Sequence, residues 1–210
     1  ARFDRVKATT KAPMFGGAPA GSEDTDENYA GFIRYEHQLG SAVTAFAGLG
    51  HAERSPDYWE RRATFSIDPE RSNQLDLGLS YRSGPVSATV SAFYAEIDDY
   101  ILIDWSQDPK VARNIDATTY GFEADTTWAF AKNWHITGTL AYVRGDNDTD
   151  NLPLAQIPPL EARLALNYDN GTWLAGLLAR GVAEQDRVSP DSGSIAGRDL
   201  GPTAGFGVLS

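Results

Sequence analysis

The feature that most constrains this chain is an alternation sustained over two runs and joined by a tight turn. Residues 73–94 read NQLDLGLSYRSGPVSATVSAFY. Leu75, Leu77, Leu79 and Tyr81 alternate with Gln74, Asp76, Gly78 and Ser80. After RSGP, Val86, Ala88, Val90, Ala92 and Tyr94 alternate with Ser87, Thr89 and Ser91. Successive side chains of a strand point to opposite faces, so each run has one apolar and one polar face. The pattern predicts a β-hairpin. What its apolar face touches, a protein core or lipid, decides the fold.

Strand-like segments recur near 1–10, 28–39, 42–53, 73–82, 86–97, 114–130, 134–145, 159–169, 172–183 and 202–210. No segment reads as a convincing amphipathic helix. LEARLALNY also fits a strand, and the Asn-Gly pair after it is a strong hairpin signal. The connections alternate strictly in length. Short turns fall at QLGS (38–41), RSGP (82–85), AKN (131–133) and DNG (169–171). Long polar loops fall at 11–27, 54–72, 98–113, 146–158 and 184–201. An up-and-down barrel in an outer membrane has this asymmetry, with short periplasmic turns and long extracellular loops. A Greek-key sandwich has no reason to gather its long loops at one end.

The aromatic residues give a second test. Trp128 and Trp134 flank the AKN turn, Tyr168 and Trp173 flank the DNG turn, and Tyr81 precedes RSGP. Tyr120 precedes Trp128, and Tyr142 follows Trp134, on the same strand faces. The separation is roughly 26 Å along a strand. After a barrel tilt it leaves roughly 20 Å of height, close to the ~25 Å apolar band between two aromatic girdles. Between them Phe122, Ala124, Thr126, Ile136, Gly138 and Leu140 are expected outside. Glu123, Asp125 and Arg163 are expected inside, where charges suit a hydrated lumen. Lipid is the better answer; a soluble lipocalin-like barrel or sandwich is the competing one.

Composition narrows the function classes. No run of about 18 apolar residues exists, so no transmembrane helix is expected, which leaves a membrane barrel open. The net charge of -11 argues against nucleic acid, whose phosphates need clustered Lys and Arg. Cysteine is absent, which removes disulfides, zinc-thiolate sites and cysteine catalysis. The opening ARFDRVKATT has neither a basic leader nor an apolar core, so a mature protein or an interior fragment is expected.

Four segments carry a family likeness: GLGHAERSPDYWERR (48–62), DPERSNQLDLGLSYRSG (68–84), RNIDATTYGFEADTTW (113–128) and LPLAQIPPLEARLALNYDNGTW (152–173). Their succession resembles the C-terminal half of TonB-dependent outer-membrane receptors. The family's features appear as Arg54 with Pro56, Pro69 with Glu70, Asn114 with Gly121 and Glu123, and Pro158 with Pro159. The PDYWE and PPLEARL wording looks most like the TonB-dependent copper receptor subgroup. The resemblance implies an all-β fold, an antiparallel up-and-down transmembrane β-barrel segment of about ten strands, cut from a barrel of ~22. It implies that residues 1–210 form one partial barrel, with the plug domain, the TonB box and the last strands outside it. It implies a Gram-negative outer-membrane location and transport of copper, or alternatively of another, siderophore-type metal chelate. The partners implied are outer-membrane lipid, the TonB complex through the missing N-terminal region, and the metal ion or chelate. A passive porin or adhesin barrel, and a barrel enzyme such as an outer-membrane protease or lipase, remain competing classes. No nucleophile–base pair, phosphate loop or paired-carboxylate site supports the enzyme.

Copper prefers soft or imidazole ligands. His37, His51 and His135 are scattered, and none pairs with another at metal spacing. The weak metal candidates are His51, at a strand end near Glu53 where it could face the vestibule, and Met14 in the APMFGGAPAG loop. No cofactor is expected beyond a transported copper ion. GDNDTDN places Asp146, Asp148 and Asp150 as a calcium loop begins, but Asn151 and Ile157 stand where that loop needs Gly and Glu. It and SEDTDE (22–27) read as solvated acidic loops.

Overall fold

The computed structural model describes residues 1–13 and 17–210. In chain order the strands are β1 (Arg2–Thr9), β2 (Glu23–Gln38), β3 (Val43–Arg54), β4 (Glu70–Ser83), β5 (Val86–Asp104), β6 (Val111–Ala131) and β7 (Trp134–Asn147). They continue as β8 (Leu152–Pro153), β9 (Glu161–Asp169), β10 (Leu174–Val182), β11 (Ser192–Ser194), β12 (Gly197–Arg198) and β13 (Phe206–Leu209). One short helix, α1 (Tyr58–Ala63), is seen among the described residues.

The hydrogen-bonded path runs β1-β2-β3-β4-β5-β6-β7-β9-β10-β13, each strand antiparallel to its neighbour. Sequential order and nearest-neighbour pairing are as the turn pattern predicts. The four short turns lie at one end of this sheet. Each turns on one residue with left-handed backbone: Gly40, Gly84, Asn133 or Gly171. Asn133 is the one that is not glycine, and asparagine tolerates that conformation better than most.

The register sorts the faces. Leu79 lies opposite Ala45 and Val90, Leu77 opposite Ala47 and Ala92, and Leu75 opposite Leu49 and Tyr94. Farther along, Phe122 pairs with Tyr142 and Ala124 with Leu140, so the apolar face continues unbroken through β7. Trp128, Phe130, Trp134 and Tyr168 form a chain of ring contacts at the short-turn end, with centroids 5.6, 6.5 and 4.9 Å apart in order. At the opposite edge of the apolar band Tyr94 faces Tyr120, and Phe3 contacts Tyr29 at 5.1 Å. Both girdles are therefore present.

The long-loop end departs from expectation in a consistent way: it is more ordered than its polar sequence implies. The segment 98–113, expected as a loop, is mostly strand. A bulge between Ile97 and Tyr100, with Asp99 at φ 57°, shifts the register, and β5 and β6 then pair on to Asp104 and Val111. Two adjacent acids at the bulge interrupt the alternation, which is why the sequence reads as a break. Beyond the bulge, odd and even positions bury on opposite faces of this hairpin. Ile101, Ile103 and Ala112 cluster with Ala63 and Ile67, joined by Trp105 and Ile195. Leu102, Ile115 and Ala117 cluster with Leu154, joined by Ile97, Tyr100 and Ile157.

Segment 54–72 contains α1. Asp57 caps it by accepting from the amides of Trp59 and Glu60, and Glu60 reaches back to the Asp57 amide, a capping box. Segment 184–201 folds back as the β11–β12 hairpin, and β11 pairs with the stretch of β5 that β4 leaves free above the bulge.

Candidate functional site

The face opposite the apolar band is polar. Glu123 and Asp125 alternate with Phe122 and Ala124 along β6, and their cross-strand neighbours are Ser91 and Thr89. On β9 the Glu161 carboxylate accepts from Arg163 (2.5 Å) and from Arg180 of β10 (2.7 Å). The Arg34 guanidinium stacks 3.9 Å over Phe46. A Cβ at Gly121 would lie 2.1 Å from the Tyr142 carbonyl oxygen and 2.9 Å from the Phe93 ring. Gly121 is therefore required by close approach, and the Phe93 ring packs over it from the neighbouring strand. Such a surface presents charge of both signs to a solute moving along it and would suit a water-filled passage.

The long-loop end builds a hydrogen-bonded crown on this wall. Arg61 of α1 donates to Asp24 and to Asp26 of β2, both at 2.5 Å, and to the Phe65 carbonyl at 3.0 Å. Arg61 is 4% and Asp26 6% exposed. Burial by itself lowers the Arg61 pKa, but the hydrogen bonds and charges of the two aspartates outweigh it and raise the pKa above its usual value. SEDTDE is thus part of a strand with buried ion pairs, not a solvated loop. Its partner is some 35 residues away, beyond what local reading reaches.

Arg54 bridges Glu60 (2.8 Å) and Glu70 (2.6 Å), and Glu70 also accepts from the Ile101 amide (3.1 Å). Asn114 donates to the carbonyls of Asp68 (3.0 Å) and Asp99 (2.7 Å) and accepts from the Asp68 amide (3.0 Å). Arg54, Glu70 and Asn114, which carried the family likeness, thereby tie the 55–69 loop to the bulge through two adjoining sets of hydrogen bonds. Glu60 and Arg61 escaped the sequence reading; the Asp57 to Glu60 spacing within DYWERR was the available signal.

The acidic loop GDNDTDN is likewise engaged. Asp146 pairs with Arg187, Asp148 accepts from the Thr118 hydroxyl at 2.7 Å, and Asp150 pairs with Arg113. Hydrogen bonds from Arg113 and then Asn147 hold the Asp150 carboxyl below its usual pKa. The loop is a linked turn because arginines distant in sequence return to it.

The three histidines are not brought together. Met14 lies outside the described residues. His51 shares the apolar face with Leu49 and sits just beyond its edge, donating from Nδ1 to Asn73 Oδ1 (2.8 Å), with Nε2 3.5 Å from Glu53. His37 contacts the Tyr35 hydroxyl near the short-turn end, and His135 lies opposite Asn167 on the polar face. Among the described residues, no group of three or more His, Cys, Asp or Glu side chains is arranged to hold a metal.

A sequentially paired sheet with two aromatic girdles, an apolar outer face and a charged inner one defines a segment of membrane β-barrel wall. The chain belongs to the TonB-dependent receptor-like β-barrel family, whose model matches residues 1–210. Among solved structures it is similar to the copper transporter OprC, with 39% identity and a TM-score of 0.91 over 99% of this chain and 34% of that one. It is also similar to the FrpB iron transporter from Neisseria meningitidis, with 19% identity and a TM-score of 0.72 over 99% of this chain and 33% of that one. The ferric enterobactin receptor of Pseudomonas aeruginosa gives 15% identity and a TM-score of 0.72, over 89% of this chain and 33% of the receptor. The last two likenesses show the fold alone. No curated protein sequence matches. The chain spans about a third of the length of these structures.

Proposed function

We propose that this chain is the wall segment of a Gram-negative outer-membrane TonB-dependent receptor that takes up copper. The observation that carries the reading is the 39% identity to a copper transporter, sustained over 99% of the chain. In this reading the apolar face meets lipid and the polar face lines the transit path. The long-loop crown lies outside the cell. Copper is cargo rather than a resident cofactor, and the chain is a transporter part rather than an enzyme. The plug and the contact with the TonB complex belong to parts of the receptor beyond these residues.

The test is copper accumulation by cells that express the full-length receptor under copper limitation. Expected is accumulation above a receptor-less strain, lost when the TonB complex is deleted. Accumulation that persists without TonB would favour a passive porin. Accumulation of a ferric chelate in place of copper would favour the siderophore-type alternative.

A further inference from the structure

One of the four short turns carries the chain's single Asn-Gly pair, Asn170–Gly171, between β9 and β10. Its groups converge on the Asn170 side-chain amide. The Gly171 amide donates to the Asp169 carboxylate at 2.8 Å. Asn170 Oδ1 accepts from two backbone amides, that of Thr172 at 3.0 Å and that of Trp173 at 2.8 Å. Asn170 Nδ2 donates to the Tyr168 hydroxyl at 3.0 Å. Asp169 is held in turn, its own amide donating to the Asn133 carbonyl at 2.9 Å. Residues 169–173 are exposed, so water reaches the turn.

An asparagine followed by glycine has one reaction within its covalent reach. The next backbone nitrogen attacks the side-chain carbon Cγ and closes a succinimide ring. Gly171 has no Cβ beside the attacking nitrogen, and its left-handed backbone (φ 85°) suits glycine best. The reaction needs a base for the nitrogen's proton, donors for the charge that develops on Oδ1, and an acid for the departing ammonia. Asp169 already accepts the proton that must leave, in the place of a general base. The Thr172 and Trp173 amides point at the oxygen where charge develops, in the manner of an oxyanion hole. Tyr168 touches the leaving nitrogen and carries an O–H that can protonate it.

We infer that this turn is a self-modifying site, at which Asn170 cyclises onto Gly171 and is then hydrolysed to aspartate or isoaspartate. The Gly171 N–H proton passes to the Asp169 carboxylate as the N–Cγ bond forms and the C=O electron pair moves onto Oδ1. When that pair returns, the Cγ–Nδ2 bond breaks and ammonia leaves with a proton from Tyr168. The proton held by Asp169 restores Tyr168 through water. A further water opens the ring. Attack at Cγ gives aspartate, and attack at the backbone carbonyl gives isoaspartate, which routes the main chain through the side-chain carbon and lengthens the turn. None of this depends on the cargo.

The experiment follows the full-length receptor at neutral pH, folded in detergent and, separately, unfolded in guanidinium chloride. Aspartate and isoaspartate at position 170 are counted by peptide mapping, with Asn133, which precedes the bulky Trp134, as the internal reference. Expected is conversion about a hundredfold faster in the folded receptor than in the unfolded one, the lower end of what a positioned general base supplies. Folded Asp169→Ala should fall to about the unfolded rate. Tyr168→Phe, which keeps the base, should slow conversion less, and it carries the test if circular dichroism shows that Asp169→Ala has not folded. Conversion no faster in the folded receptor than in the unfolded one overturns the site. So does a wild-type rate in folded Asp169→Ala or, where that variant does not fold, in Tyr168→Phe.

Discussion

The apolar band and the crown are made from the same strands, yet they are held together in opposite ways. In the band Leu77 is 49% exposed, whereas Ile103, on the extension of the neighbouring strand, is 0% exposed. The band has almost no buried interior, so its cohesion comes from the backbone ladder, and its apolar side chains gain only from lipid. The crown buries two hydrophobic clusters and an arginine with its aspartates, as a soluble domain does. One polypeptide thus satisfies two solvents, and substitutions should be read by the solvent that each region answers to.

The sharpest test of that contrast is Arg61→Met. Removing one partner of a buried ion pair strands the other charges, at a cost of about 3–5 kcal/mol. We expect amides in 55–69 to lose protection from hydrogen exchange while those of 75–81 keep theirs. Equal loss in both would show that band and crown are one cooperative unit. Next, Leu77→Arg places a charge near the middle of the lipid face and should cost about 2–4 kcal/mol of folding into bilayers. Ser91→Arg, on the opposite face, should cost much less in the same urea titration. Asn114→Ala should cost about 1–3 kcal/mol by stripping partners from the bulge, read as faster proteolysis of the 55–69 loop.

The smallest effect concerns acid. Asp150 has a lowered pKa in the folded chain, so its contribution is complete above the usual carboxylate value of ~3.9 and fades as pH falls through the lowered one. Exchange in residues 148–153 should therefore rise on acidification below about pH 4. Asp150→Asn should remove that rise and leave the band unaffected.

The band was legible in sequence because its determinants are local. Alternation assigns Leu75 and Phe122 to one face and Glu123 to the other, and the short turns set the register. The crown was not, because its determinants are distant. Asp24 and Asp26 look solvated until Arg61 arrives, Asp98 and Asp99 look like a loop until Asn114 secures the bulge, and Asp146 looks free until Arg187 reaches it. His51 was legible as the end of a strand. Its sharing a face with Leu49 follows from parity along β3, and its partner Asn73 follows only from the β3–β4 register.

The pairing of β11 with β5 has a consequence for the order of events during assembly. The wall can zip neighbour to neighbour, each strand joining the one just made. The clasp cannot: Trp105 donates to the Ser194 carbonyl across 89 residues of chain, so its loop closes only after the intervening strands are in place. We expect an assembly intermediate with a finished wall and an open crown, detectable as protease sensitivity at 183–205 that outlasts protection of the band. Simultaneous protection of both would refute it. The last few residues to settle would then be those at the long-loop end of the wall.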